Sequence, residues 1–93
     1  MNAELMLKER HIISKDAFVE MVVWRLPSPV EGSQHEFKYR LAFVVRGRCV
    51  VRYDNERGKG DHKHIGKKNI PYTFTNPQTL LDDFWHDMDT WRS

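Results

Sequence analysis

Apolar and polar side chains alternate along the first two thirds of the chain, and a period of two residues indicates β-strands. The alternation predicts four strands, at residues 5–13, 18–26, 36–45 and 48–54. In the third strand, Lys38 and Arg40 lie opposite five apolar side chains, so Arg40 should point away from the main core. Turns at residues 14–16 and 46–47 join the strands into two hairpins, and a loop with two prolines at residues 27–33 separates the hairpins.

Near the C-terminus the apolar pattern changes to spacings of three and four residues, which indicates an amphipathic helix. Asn76 is a suitable N-cap residue, and Pro77 suits the first helical position. The predicted apolar face consists of Leu81, Phe84, Trp85, Met88 and Trp91. The acidic residues expected on the outer face are Asp82, Asp83, Asp87 and Asp89. The apolar face should pack on the sheet as part of the core.

Residues 55–71 carry three glycines, one proline and many charges but few apolar side chains, so we expect a long loop there. Together the elements predict an α+β fold, an antiparallel meander sheet of about four strands with one face covered by the C-terminal helix. At 93 residues the chain should form a single domain spanning residues 1–93.

Composition restricts where the protein can act. The longest uninterrupted apolar run, residues 41–45, is far shorter than the roughly 20 residues of a transmembrane helix, so no membrane span is expected. Four charged side chains in the first ten residues are unlike a secretory signal. Cys49 is the one cysteine in the sequence, and without an internal disulfide we expect a reducing compartment, the cytoplasm.

Charge is distributed unevenly along the chain. Residues 35–75 hold ten Lys and Arg against four acidic residues, whereas residues 76–93 hold one base against four acids. Three of the five histidines also lie in the basic segment. This distribution favours an anionic partner such as RNA, although basic side chains can also serve only to solvate an exposed sheet.

The densest group of reactive side chains is the run RYDNERGKGDHKH at residues 52–64. In an extended chain His62 and His64 project from the same face, so their imidazoles lie side by side. Imidazole titrates at about pH 6.5, so one ring can act as general base while the other acts as general acid. Such a pair supports cleavage of RNA through attack of a ribose 2′-hydroxyl, and it needs no metal and no other cofactor. The simpler interpretation is that both are exposed loop histidines without a role.

Several neighbours can assist this chemistry. The candidates for binding phosphate are Arg40, Arg52, Lys59 and Lys63. His35 and Tyr39 are candidate catalytic auxiliaries, although Tyr39 shares the parity of the core residues. Gly58 and Gly60 flank Lys59 and can bring backbone N–H groups close to an anion, but the spacing of a nucleotide-binding P-loop is missing.

A metal site is the rival interpretation of the same side chains. His62 and His64 with Asp54 or Asp61 make a set of two histidines and one carboxylate, which His35 can join. The pair His-x-His is common without a metal, and the nearby lysines oppose a divalent cation. We therefore expect no metal.

Four segments together resemble the TumE family of bacterial and archaeal toxin–antitoxin systems. They are HEFKYRLAFV at 35–44, RCVVRYDNERGKGDHKH at 48–64, PYTF at 71–74 and LLDDFWHDM at 80–88. The resemblance implies a small growth-inhibiting toxin, encoded beside a helix-turn-helix antitoxin that holds it inactive. It carries no catalytic set, so the roles of individual residues rest on their chemistry.

We therefore expect a cytoplasmic toxin that cleaves RNA as a metal-independent, ribonuclease-like enzyme. The alternative is a binding module whose basic sheet face holds nucleic acid without cleaving it. The first predicted strand, residues 5–13, lies at an edge, where it can pair with a second copy in a homodimer or bind the antitoxin. The sequence does not separate these two uses.

Overall fold

The computed structural model describes residues 3–92 as one antiparallel sheet and one helix. The elements are β1 (Glu4–Ser14), β2 (Ala17–Arg25), β3 (Phe37–Val45), β4 (Arg48–Asp54), β5 (His62–Ile65), β6 (Lys68–Pro71) and α1 (Pro77–Arg92). Each strand pairs with the next along the chain, so the order in the sheet is β1 to β6. The predicted α+β meander with a C-terminal helix is confirmed, with six strands in place of about four.

The hydrophobic core lies between α1 and one face of the sheet. Alternate residues of β2, β3 and β4 supply the sheet side, and they include the fully buried Leu41 and Val51. From the helix, Leu80, Phe84 and Met88 are buried. Leu80 was missing from the predicted apolar face because the prediction started that face at Leu81, one residue later in the sequence.

The start of α1 follows the predicted capping pattern. The Asn76 side-chain oxygen Oδ1 accepts a hydrogen bond of 2.8 Å from the backbone N–H of Thr79. The helix begins at Pro77, where the missing backbone N–H costs no helical hydrogen bond. No helix among residues 3–92 is long and apolar enough to span a membrane.

Two of the acidic residues predicted on the outer face of α1 instead face the sheet. Asp83 Oδ2 accepts a 2.6 Å hydrogen bond from the hydroxyl of Tyr72. Asp87 Oδ2 accepts one from the hydroxyl of Tyr53 and lies 2.9 Å from the ammonium of Lys63. The prediction was wrong for Asp83 and Asp87 because the hydroxyls of Tyr53 and Tyr72 and the ammonium of Lys63 face the helix and bind these carboxylates.

The segment predicted as a long loop contains the hairpin β5–β6. Its strands have four residues each and turn at Gly66, whose φ of 61° is the left-handed conformation that glycine favours. The loop prediction was wrong because β5 reads HKHI, polar on both faces of the strand for most of its length. Its pairing with β4 sets His62 opposite Asp54 and His64 opposite Arg52.

Candidate functional site

Four polar side chains lie together on the face of the sheet opposite α1. Arg52 and Asp54 come from β4, and His62 and His64 come from the adjoining strand β5. Because side chains alternate between the two faces of a sheet, residues two apart on paired strands form a compact square. We call these four residues the histidine site.

His62 is held between two oxygen atoms. Its Nε2 lies 2.7 Å from Asp54 Oδ1, and its Nδ1 lies 3.1 Å from the backbone carbonyl oxygen of Gly60. Both ring nitrogens of His62 therefore face protein oxygen atoms.

His64 has a different environment. Its ring centroid lies 4.9 Å from that of His62, with the two planes at 81°. Burial, followed by the positive charges of Arg52 and His62, lowers the pKa of His64 from its ordinary value, so the ring is neutral at pH 7. Its Nε2 is buried without a hydrogen-bond partner, and the residue lines the adjoining cleft.

Asp54 lies between Arg52 and His62 in the histidine site. Its side chain is 5% exposed, with Oδ2 lying 3.1 Å from Arg52 Nε and Oδ1 facing His62. Both contacts have the distance of ion pairs but lack hydrogen-bond alignment, so Arg52 Nε and Asp54 Oδ1 have no hydrogen-bond partner. A buried carboxylate therefore lies between two basic side chains, Arg52 and His62.

A cleft of about 450 Å³ opens beside the histidine site. Its lining residues are Arg52, Glu56, Lys59, Asp61, His62, His64, Asn69 and Pro71. The Lys59 ammonium lies 3.3 Å from the Glu56 carboxylate, and its side chain is 68% exposed, so it can turn towards a ligand. Four of the predicted site residues, His62, His64, Arg52 and Lys59, thus share one cleft.

Two other predicted phosphate-binding residues lie outside the cleft. Arg40 is exposed on the same sheet face, and in the strand register it lies opposite Asp54, which in turn lies opposite His62. Lys63 projects to the helix side, where its ammonium contacts Asp87, so it does not reach a phosphate beside the histidines. The alternation of the strand places Lys63 opposite its two histidine neighbours.

His35 and Tyr39 converge on Asp61, at the far side of the cleft wall. Asp61 accepts hydrogen bonds from the Ser33 hydroxyl at 2.7 Å, from His35 Nε2 at 2.6 Å and from the Tyr39 hydroxyl at 2.7 Å. The other His35 nitrogen accepts from the backbone N–H of Phe37. Burial, and then the bond to Asp61, raises the pKa of Tyr39, so this phenol keeps its proton. These hydrogen bonds indicate that His35 and Tyr39 hold the Asp61 side chain in position.

Asn55 is a structural residue that the sequence reasoning missed. Its fully buried side chain accepts from the Tyr39 N–H at 2.9 Å and donates to the Phe37 carbonyl at 2.7 Å and to the Ser33 hydroxyl at 3.3 Å. It thereby fixes the chain leaving β4 against β3. The only signal in the sequence was its place in the polar run beside Asp54.

The glycines flanking Lys59 shape the loop in a way that differs from the predicted phosphate cradle. The N–H of Gly58 donates to the Glu31 carbonyl at 2.6 Å, so it is not free for an anion. Gly60 has a φ of 73° and packs directly on Gly32, since a Cβ built on Gly60 would lie 3.0 Å from the Gly32 oxygen. This packing fixes the position of the Gly60 carbonyl oxygen, which contacts His62.

Asp54, His62 and His64 are also a set that can hold a metal ion. One ligand atom from each residue lies within 4.8 Å of the others. Of the two carboxylates considered from the sequence, Asp54 joins the histidines, while Asp61 bonds to His35.

The comparison with protein families assigns the chain. A family model described as Toxin TumE matches residues 2–92, nearly the whole sequence. Comparisons with curated proteins and with solved structures gave no match. The chain therefore belongs to the TumE family and is a toxin component, which implies an antitoxin partner.

Proposed function

We propose that this toxin is a metal-independent ribonuclease that cleaves single-stranded RNA at the histidine site. The observation that carries the proposal is the pair of adjacent imidazoles in opposite environments. His64 is kept neutral by burial and by Arg52, while His62 faces oxygen atoms with both nitrogens. Transesterification of RNA requires a base and an acid, and the proposal assigns these roles to His64 and His62, whose ring centroids lie 4.9 Å apart.

The proposed reaction moves two protons. His64 Nδ1 takes the proton of the ribose 2′-hydroxyl, and the 2′ oxygen forms a bond to phosphorus. The bond from phosphorus to the 5′ oxygen breaks, and that oxygen takes the proton from His62 Nδ1. To donate this proton, His62 Nδ1 gives up its contact with the Gly60 carbonyl oxygen and turns to the leaving group. The products are a 2′,3′-cyclic phosphate and a 5′-hydroxyl. Asp54 holds the His62 ring through Nε2.

Cations on the open sheet face support RNA as the substrate class. Arg52 and Lys59 line the cleft and can neutralise the reacting phosphate. Arg40 and Lys38 are exposed on the neighbouring strand β3 and can bind flanking phosphates. Binding to several phosphates releases counterions, so we expect affinity for single-stranded RNA to fall steeply with salt.

The test is cleavage of an end-labelled single-stranded RNA by purified protein in a chelator. We expect a cyclic phosphate product from wild type and none from His62→Ala or His64→Ala, with His86→Ala, an exposed helix residue, as the matched control. The same oligonucleotide with 2′-deoxyribose at the cleaved position should bind but remain intact. Unchanged cleavage in both site variants would sink the proposal, and salt-sensitive binding without any cleavage would favour the non-catalytic binding module. Activity that needs a divalent ion would favour the metal interpretation.

We further propose that the partner is a helix-turn-helix antitoxin that binds the edge strand β1, and that both act in the cytoplasm. Among residues 3–92, β1 pairs only with β2, and it exposes Leu5, Met6 and Ile12, the last at 70%. A homodimer through the same edge is the competing occupant. Light scattering measures the mass of the toxin alone and with the antitoxin, and so distinguishes a homodimer from a toxin–antitoxin complex. Ile12→Asp should weaken whichever of these two contacts uses β1.

A further inference from the structure

The three ligand atoms of Asp54, His62 and His64 match the preference of one class of ion. Two imidazole nitrogens and one carboxylate oxygen lie within 4.8 Å of one another, a separation that a single ion can bridge. Imidazole suits first-row divalent transition ions such as Zn²⁺, whereas Mg²⁺ and Ca²⁺ prefer oxygen ligands. The side of the ion facing the cleft stays open to water.

Hydrogen bonding orients one of these ligands in advance. His62 Nδ1 lies 3.1 Å from the Gly60 carbonyl oxygen, so a proton on Nδ1 leaves the lone pair of Nε2 directed at the Asp54 side. Histidines that bind metals commonly donate their second N–H to a backbone carbonyl or a carboxylate. The close packing of Gly60 on Gly32 holds that carbonyl in place.

Buried polar atoms without partners point to the same position. Across the described residues 3–92, the buried side-chain nitrogen and oxygen atoms without a hydrogen-bond partner are Arg52 Nε, Asp54 Oδ1 and His64 Nε2. Two of these three atoms belong to residues of the ligand set, Asp54 and His64, and Asp54 as a whole is 3% exposed. Unpaired buried polar groups are costly, and a bound cation is one of the few ways to satisfy an acceptor oxygen and an imidazole nitrogen together.

Neighbouring charges both oppose and support such an ion. Arg52 Nε lies 3.1 Å from Asp54 Oδ2 and repels a cation, but this contact occupies the oxygen that does not face His62. Glu56 lines the cleft as a further carboxylate. Because these charges partly cancel, we expect the ion to bind reversibly.

We propose that a divalent transition ion of the Zn²⁺ class binds Asp54, His62 and His64 and thereby switches off RNA cleavage. A neutral imidazole has one lone pair, so an ion bound to either nitrogen of His64 leaves the ring unable to accept the proton of the 2′-hydroxyl. At His62 the ion occupies Nε2, so the N–H at Nδ1 belongs to a metal-bound imidazole and is a weaker acid than an imidazolium N–H. The inhibition rests on the proposed ribonuclease function, whereas the binding of the ion does not.

The test titrates the chelator-treated full chain with Zn²⁺ and measures binding by calorimetry, the unfolding temperature, and cleavage of a labelled single-stranded RNA. We expect 1:1 binding, a higher unfolding temperature, and loss of cleavage that a chelator restores. His64→Ala and Asp54→Asn should each weaken binding by more than about 100-fold, beyond the range of changes outside the ligand shell. His86→Ala is the matched control, and Co²⁺ absorption in the visible range reports nitrogen ligation.

Each outcome has a separate meaning. Cleavage in chelator with no Zn²⁺ binding, or with equal binding in His64→Ala, overturns the metal site and leaves the ribonuclease standing. Binding that depends on His64, with no cleavage under any condition, overturns the ribonuclease and supports the site. Cleavage that Zn²⁺ stimulates overturns the switch. If Asp54→Asn unfolds, the more exposed His64→Ala still decides the ligand assignment.

Discussion

Replacing Asn55 by alanine should remove the main polar connection between β3 and the chain leaving β4. The side chain is fully buried and makes two short backbone hydrogen bonds, from the Tyr39 N–H and to the Phe37 carbonyl. Each buried backbone group left without a partner costs about 1–3 kcal/mol, so we expect a loss of roughly 4 kcal/mol. For a domain of this size that loss corresponds to a fall of roughly 15–30 °C in the unfolding temperature.

Equilibrium denaturation in urea, followed by tryptophan fluorescence, measures this loss directly. Asn76→Ala is the matched control, since it removes the same side chain from an exposed helix cap and should cost only about 1 kcal/mol. The denaturant dependence of the free energy should stay the same if both variants unfold in one step. If Asn55→Ala is no less stable than Asn76→Ala, the argument from buried hydrogen bonds is refuted.

Three further variants test the site in different ways. Arg52→Gln removes a positive charge that lowers the pKa of His64, so that pKa rises and the acidic limb of the pH–rate profile should move to higher pH; an unchanged limb contradicts this. Tyr39→Phe should lower stability by about 1–2 kcal/mol through the lost bond to Asp61 but leave the pH–rate profile unchanged, whereas a lost limb would assign Tyr39 to catalysis. Gly60→Ala should destabilise more than Gly47→Ala in urea denaturation, because both have positive φ but only Gly60 meets backbone within 4 Å.

Strands β2, β3 and β4 and the helix could be predicted because one side of each is buried. In β3 the apolar residues alternate with Lys38 and Arg40, and a one-residue shift would expose the core face. The capping of α1 by Asn76 was likewise local, since the hydrogen bond spans three residues. Such features depend on short stretches of sequence and need no knowledge of the rest of the fold.

The short hairpin and its neighbours could not be predicted in the same way. β5 and β6 each have four residues, and they gain their order because β5 pairs with β4 and β6 pairs with β5. The inward orientation of Asp83 and Asp87 likewise depends on polar partners contributed by distant parts of the chain. Long-range pairing decides such segments, because their own pattern of apolar residues is too weak to do so.

The chemistry of the histidine pair depends on the register of β4 and β5 more than on the two histidines themselves. Strand alternation alone predicted that His62 and His64 share a face. Their different environments arise because His62 lies opposite Asp54 while His64 lies opposite Arg52. A shift of one residue would move both rings to the helix side and bring Lys63 to the open face. Any variant that alters this register should therefore abolish RNA cleavage and Zn²⁺ binding together, whereas Lys59→Ala should weaken cleavage and leave the three metal ligands in place.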